Sequence, residues 1–163
     1  MPTTTYRPLA TVTLGGSDSS ITFASIPATY RDLILVINGN TTGNADFGLR
    51  FNGDSGNNYS FVWMGGNGSS VTSGRNTANT IVLDGYFWRT SEISSCIAQI
   101  MDYSATDKQK VVLSRNNVAG AGVDTFANRW ANTARITSVE VLVGTGGQSF
   151  ATGTTLSLYG VIA

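Results

Sequence analysis

The sequence predicts an all-β fold: a jelly-roll-type β-sandwich, one domain built from two antiparallel sheets. Three observations predict it. Apolar residues recur with period two or in short buried runs, clusters of Gly, Asn and Ser interrupt them at short intervals, and no segment reads as a helix. Gly, Ser, Thr and Asn together account for 70 of 163 residues while 41% remain hydrophobic, so the chain is a folded one with long polar turns. A domain of this length buries roughly 70% of the surface its unfolded chain exposes, enough to fold without a disulfide or metal staple. The single cysteine, Cys96, permits no intrachain bridge, and its place between Ser95 and Ile97 in a strand suits a small buried hydrophobe.

Residues 1–8 read as an extended N-terminal arm, because Pro2 and Pro8 cannot donate ladder hydrogen bonds and the stretch between them is short and polar. The domain then occupies residues 9–163, with strands expected at 9–14, 20–23, 33–38, 47–52, 59–64, 80–83, 93–102, 110–115, 126–130, 136–143 and 154–160. Phe47, Leu49 and Phe51 alternate with Gly48, Arg50 and Asn52, as a sheet with one wet face requires. Val139, Val141 and Val143, and then Leu156 and Leu158, repeat that pattern. Residues 33–37 are apolar on both faces, which predicts a central strand whose outer face lies under a loop or a partner chain. The polar runs 52–58 and 65–70 supply residues that tolerate positive φ and read as loop tips. Residues 65–79 read as one of the long connections of a jelly roll. Short strands without intervening helices exclude a parallel α/β sheet.

Composition excludes most catalytic chemistry. With no His there is no imidazole base, no Ser-His-Asp or Cys-His site and no His ligand for zinc. Ten Lys+Arg balance ten Asp+Glu and are dispersed, so no basic patch for nucleic acid appears. The N-terminus has no apolar run of signal-peptide length, and no stretch approaches a membrane span. Gly144-Thr145-Gly146-Gly147 lacks the Lys-Ser/Thr of a phosphate-binding loop and reads as a turn. The chain is therefore expected to be no enzyme and to need no cofactor.

Four groups of residues still invite functional readings. Asn52, Asp54, Ser55, Asn57 and Asn58 crowd side-chain oxygens into one loop, but a single carboxylate is too few for tight calcium binding unless Asp46 or Asp102 joins it, which favours a structural turn. Asp84, Glu92, Asp102 and Glu140 lie in or beside strands without the spacing motif of a glycosidase pair and read as capping or surface groups. Tyr86, Phe87, Trp88 and Arg89 form an aromatic-plus-Arg segment that cannot bury every ring in one core, and they are candidates for an exposed contact with a sugar or a neighbouring subunit. Trp63 and Trp130 read as core residues whose indole N–H groups need partners. The arm residues Pro2, Thr3, Thr4, Thr5, Tyr6, Arg7 and Pro8 are candidates for partner contact, by adding to a strand or lying in a groove.

Four segments carry a family likeness: Ile26-Pro27-Ala28-Thr29-Tyr30, the run from Leu49 through Arg50-Phe51-Asn52-Gly53-Asp54 to Ser60, Asp102-Tyr103-Ser104, and Ser157-Leu158-Tyr159-Gly160. Together they resemble small β-rich structural proteins of tailed bacteriophages, over residues 9–160. The resemblance implies a jelly-roll module of the virion, either a capsid decoration (cement) protein or a domain of a tail or head fibre. The matching residues carry over as fold determinants. With no heptads or repeats that would build a fibre shaft, decoration of the outer surface of an icosahedral head is the expected role. The partner would be the major capsid protein, bridged against internal pressure, with the chain assembled in the host cytoplasm as a homo-oligomer, a trimer suiting local threefold positions. A host-carbohydrate receptor module is the alternative, and a polysaccharide hydrolase a more distant third.

Overall fold

The computed structural model describes residues 4–85, 88–144 and 146–162. Every strand pairing in it is antiparallel. Among the described residues twelve strands make two sheets: β1 (Tyr6–Thr13), β2 (Ser20–Phe23), β3 (Asp32–Gly39), β4 (Phe47–Phe51), β5 (Tyr59–Gly66), β6 (Val71–Ala78), β7 (Ile81–Val82), β8 (Ser94–Met101), β9 (Lys110–Val118), β10 (Gly122–Trp130), β11 (Val139–Val143) and β12 (Thr155–Val161). The large sheet runs β1-β12-β3-β8-β9-β10-β5-β6 and the small one β2-β11-β4-β7. This is the β-sandwich the sequence predicts.

The core lies between the inward faces of the two sheets. Leu33, Leu35 and Ile37 of β3 meet Cys96, Ala98 and Ile100 of β8 and Leu156 and Leu158 of β12, and the small sheet answers with Phe47, Leu49, Phe51, Val139 and Val141. Trp88, Trp130, Tyr59 and Phe150 complete it, with Phe47 edge-on to Trp88 at 4.6 Å and Phe51 edge-on to Trp130 at 5.4 Å. β3 is central, as its doubly apolar sequence predicts, and its outer residues Ile34 and Val36 are half-buried.

Three polar side chains on the inward faces of β9 and β10, Asn128, Asn116 and Lys110, are held by partners, whereas the buried Ser114 hydroxyl has none among the described residues. Asn128 both accepts from the Val82 N–H and donates to the Val82 carbonyl, and so stitches β10 to the small sheet's edge strand β7. Asn116 donates to Asp84 at 2.9 Å and accepts from the Trp88 indole at 2.7 Å. The fully buried Lys110 ammonium donates to the carbonyls of Ala105, Lys108 and Thr133. Unpaired, each of these groups would cost the sandwich stability, and paired they fix the loops they reach.

Two differences from the sequence reading concern the large sheet's edges. β1 begins at Tyr6, so Tyr6, Arg7 and Pro8, assigned from sequence to the arm, are paired with β12, with a bulge between Pro8 and Ala10. The segment read as a long connection contains β6, an eight-residue strand along β5. Its sequence, VTSGRNTA, has almost no apolar pattern because the small sheet does not reach over it: Thr72 and Asn76, on the inward side, are exposed like their neighbours.

Candidate interaction surface

The four segments that carry the family likeness meet at one end of the sandwich. The Tyr103 hydroxyl donates to the Pro27 carbonyl and accepts from the Tyr30 N–H, and the Tyr30 ring packs on Gly160, where a Cβ would collide with it. Asn52 reaches residues 135–138: its amide donates to the Arg135 carbonyl and its oxygen accepts from Thr137 and Ser138. Arg135 in turn donates to the Ile26 carbonyl. Asn52 and Gly53 both hold positive φ, 54° and 72°, and the Asp54 N–H closes the turn on Phe51, the geometry of a type I′ connection. These residues build the fold.

Asp54 likewise serves the turn. Its carboxylate accepts from the Trp130 indole at 2.7 Å, from the Asn58 amide and from the Gly56 N–H. The Trp130 bond, ahead of the others, holds its pKa below the ordinary carboxylate value. Asp102 pairs elsewhere with Lys108 at 3.1 Å. Among the described residues no three acidic, Cys or His groups gather as a metal site would need. Cys96 is buried, and desolvation raises its thiol pKa well above the ordinary value.

The aromatic segment needs one correction. Trp88 is not an exposed contact residue but is fully buried: its ring packs on Phe47, its indole bonds Asn116 and its N–H bonds Asp84. The short bridge between Ala45 and Trp88 draws the ring inward, which local sequence does not reveal. Arg89 is half-buried, and Tyr86 and Phe87 lie outside the described residues. Of the arm candidates, Pro2 and Thr3 also lie outside them, Thr4 and Thr5 are exposed, and Tyr6, Arg7 and Pro8 are exposed on β1. Trp63, expected in the core, is only half-buried: it stacks on Phe126 at 6.0 Å and overhangs Gly74 beyond the reach of the small sheet.

The prominent surface is the outer face of the large sheet. Nine large apolar residues are exposed among those described, and seven of them, Tyr6, Val62, Met64, Val71, Val111, Leu113 and Val123, project from this face. Ile34, Val36, Ile97 and Tyr159 continue the apolar surface at half burial across the middle strands. Three shallow depressions of about 630, 670 and 700 Å³ follow one another along it. Its charged groups are the guanidiniums of Arg75, Arg115 and Arg129 and one carboxylate, Asp32, which is buried against Gln99 and the Asp102 N–H. Among the described residues no Lys or Glu stands on it. The small sheet's outer face is polar by contrast, with Thr22, Glu140 and Arg50 side by side.

Sequence reading finds part of this surface. The doubly apolar run 33–37 signals a covered outer face, and Val111-Val112-Leu113 and Phe61-Val62-Trp63-Met64 carry the same signal, apolar residues at both parities of a strand. What the sequence hides is that these separate strands are neighbours.

No protein-family model matches the chain, and no curated protein matches it either. Among solved structures it is similar to a tetrameric galectin from the ball sponge Cinachyrella sp., with 11% identity and a TM-score of 0.43 over 87% of this chain and 99% of that one. It is also similar to the Caenorhabditis elegans galectin LEC-6, with 8% identity and a TM-score of 0.37 over 87% and 92% of the two chains. The alginate lyase Aly36B gives 11% identity and a TM-score of 0.39 over 93% of this chain and 77% of the lyase. Likeness at this level reaches no further than the β-sandwich architecture.

Proposed function

We propose that this chain is a non-enzymatic virion structural protein, a decoration subunit that binds the outside of an icosahedral phage head and bridges major capsid subunits. The observation that carries the reading is the outer face of the large sheet: apolar, bearing arginines and tyrosines, free of Lys and Glu. That composition matches the core of protein interfaces, where Arg, Met and aromatic residues are enriched and Lys and Glu depleted. Seven exposed large apolar side chains gathered on one face are more than scattered surface residues and mark it as an interaction face. The three guanidiniums suit a partner surface that supplies carboxylates. The virion itself enters through the family likeness of the segments gathered around Tyr103 and Asn52.

Quantitative mass spectrometry of purified virions against the major capsid protein tests the reading. Hundreds of copies in a simple ratio to the capsid subunit are expected. A few copies would move the protein to the tail or fibres, and none would overturn the virion reading altogether.

A second reading, binding of a host-surface carbohydrate, is favoured by one feature. Tyr6, Tyr159, Gln99 and Arg115 border the same depression, so two rings and two hydrogen-bonding groups face one site. A glycan array without a hit excludes it.

A further inference from the structure

The sandwich has four strand edges, and three are closed to further pairing. β2 has four residues and β7 two, too short to template a partner. β1 carries Pro8 and a bulge, two devices that block edge pairing. β6 has neither: it is eight residues long, free of proline, in unbroken register with β5, and no described segment pairs with its other side. We propose that β6 pairs antiparallel with β6 of a second copy across a two-fold axis, fusing the two large sheets into one.

The hydrogen-bonding groups are aligned for it. At the hairpin tip the Asn67 N–H donates to the Ser70 carbonyl, and alternation from that bond turns the N–H and C=O of Val71, Ser73 and Arg75 away from β5. The Thr77 N–H points the same way and is meanwhile capped by the neighbouring Asn76 side chain.

Charge then selects the register. Centring the axis on Gly74 pairs Val71 with Thr77 of the partner subunit and Ser73 with Arg75 of the partner subunit. Moving the centre to Arg75 would set two guanidiniums face to face, which is unfavourable. Moving it to Ser73 shortens the overlap. Gly74 has an independent reason to be glycine: a Cβ there would lie 2.6 Å from the Trp63 indole nitrogen. In the Gly74-centred pair both outer faces lie on the same side of the joined sheet, so Met64 and Val71 of the two copies flank the axis.

The inference does not depend on the virion reading, and sedimentation equilibrium on the purified chain tests it. A dimer is expected, with amides of Ser73 and Arg75 protected from exchange. S73R places two Arg–Arg pairs across the axis and should raise the dimer dissociation constant about tenfold. S73R/R75E turns both pairs into opposite charges and should restore the dimer. Circular dichroism and thermal melts establish that each variant is folded. A chain that stays monomeric at every concentration, a trimer, or a dimer indifferent to S73R would each overturn the proposal.

Discussion

The Trp130 indole donates to the Asp54 carboxylate at 2.7 Å, tying the last residue of β10 to the loop between β4 and β5. Tyr59 reinforces the link, its hydroxyl donating to the Asp54 carbonyl and accepting from the Phe51 N–H. Asp54→Ala removes acceptors for Trp130, Asn58 and Gly56 together, and should cost about 1–2 kcal/mol, since hydrogen bonds to a charged group are worth more than neutral ones but this loop is partly solvated. Chemical denaturation of the two proteins measures it. A chelator should leave the wild-type melting temperature unchanged, because protein donors already occupy the carboxylate.

Lys110 is a buried cation whose ammonium donates to three carbonyls, at 2.7, 2.9 and 3.2 Å. Burial pulls its pKa below the ordinary lysine value. Lys110→Ala leaves those carbonyls without their donor and opens a void, at a cost of about 3 kcal/mol. Lys110→Met fills the void and should lose less, so the difference between the two variants isolates packing from hydrogen bonding.

Asp124 titrates in an accessible range. Burial pushes its pKa from 3.8 up to about 6, against the opposing pull of the Gly85 N–H. The folded chain therefore holds this proton more tightly than the unfolded one between about pH 4 and 6, and the group's contribution to stability falls as pH rises through that window, then stays flat. The loss is on the order of 2–3 kcal/mol. Asp124→Asn removes this slope, so the wild-type-minus-variant stability difference should fall as pH rises across that window. A difference that grows with pH would refute the assignment.

Leu113 and Val123 are 45% and 61% exposed on the large sheet's outer face. Leu113→Asp and Val123→Asp should each alter folding stability by no more than about 0.5 kcal/mol, as exposed positions usually do. Under the proposed function the double variant should fail to occupy capsids that the wild-type protein decorates. Full occupancy by a folded double variant would remove this face from the contact.

The arm and β1 separate experimentally. Removing residues 2–4 leaves the β1 pairing intact, including the bond from the Ile162 N–H to the Thr5 carbonyl, so melting should be unchanged. Removing residues 2–8 deletes the start of an edge strand and should lower the melting temperature. If capsid occupancy falls with the shorter deletion, the arm itself makes a contact.

Strand positions were legible wherever burial imposes alternation. β2 coincides with its expected span, and β3, β4, β5, β8, β11 and β12 differ only at their ends. β6 was illegible because a strand that packs against neither layer has no apolar signature; only its register with β5 defines it. Trp88 was misplaced for a related reason. Three aromatics in succession do not reveal which one a distant backbone bridge, here from Ala45, turns inward. The outer face was visible one strand at a time, in runs such as Leu33 to Ile37, while its continuity depends on a strand order that interleaves distant parts of the chain.

That strand order also governs how the molecule is made. β1 forms its ladder with β12, so during synthesis it waits for β12 to emerge before it gains a partner. β3 waits with it, since one of its two neighbours is also β12. Chains made as far as β10 can close β8, β9 and β10 into a meander, but they hold the doubly apolar β3 half-paired until β12 emerges. Until then β3 exposes an unpaired, doubly apolar edge, the segment through which two unfinished copies would aggregate.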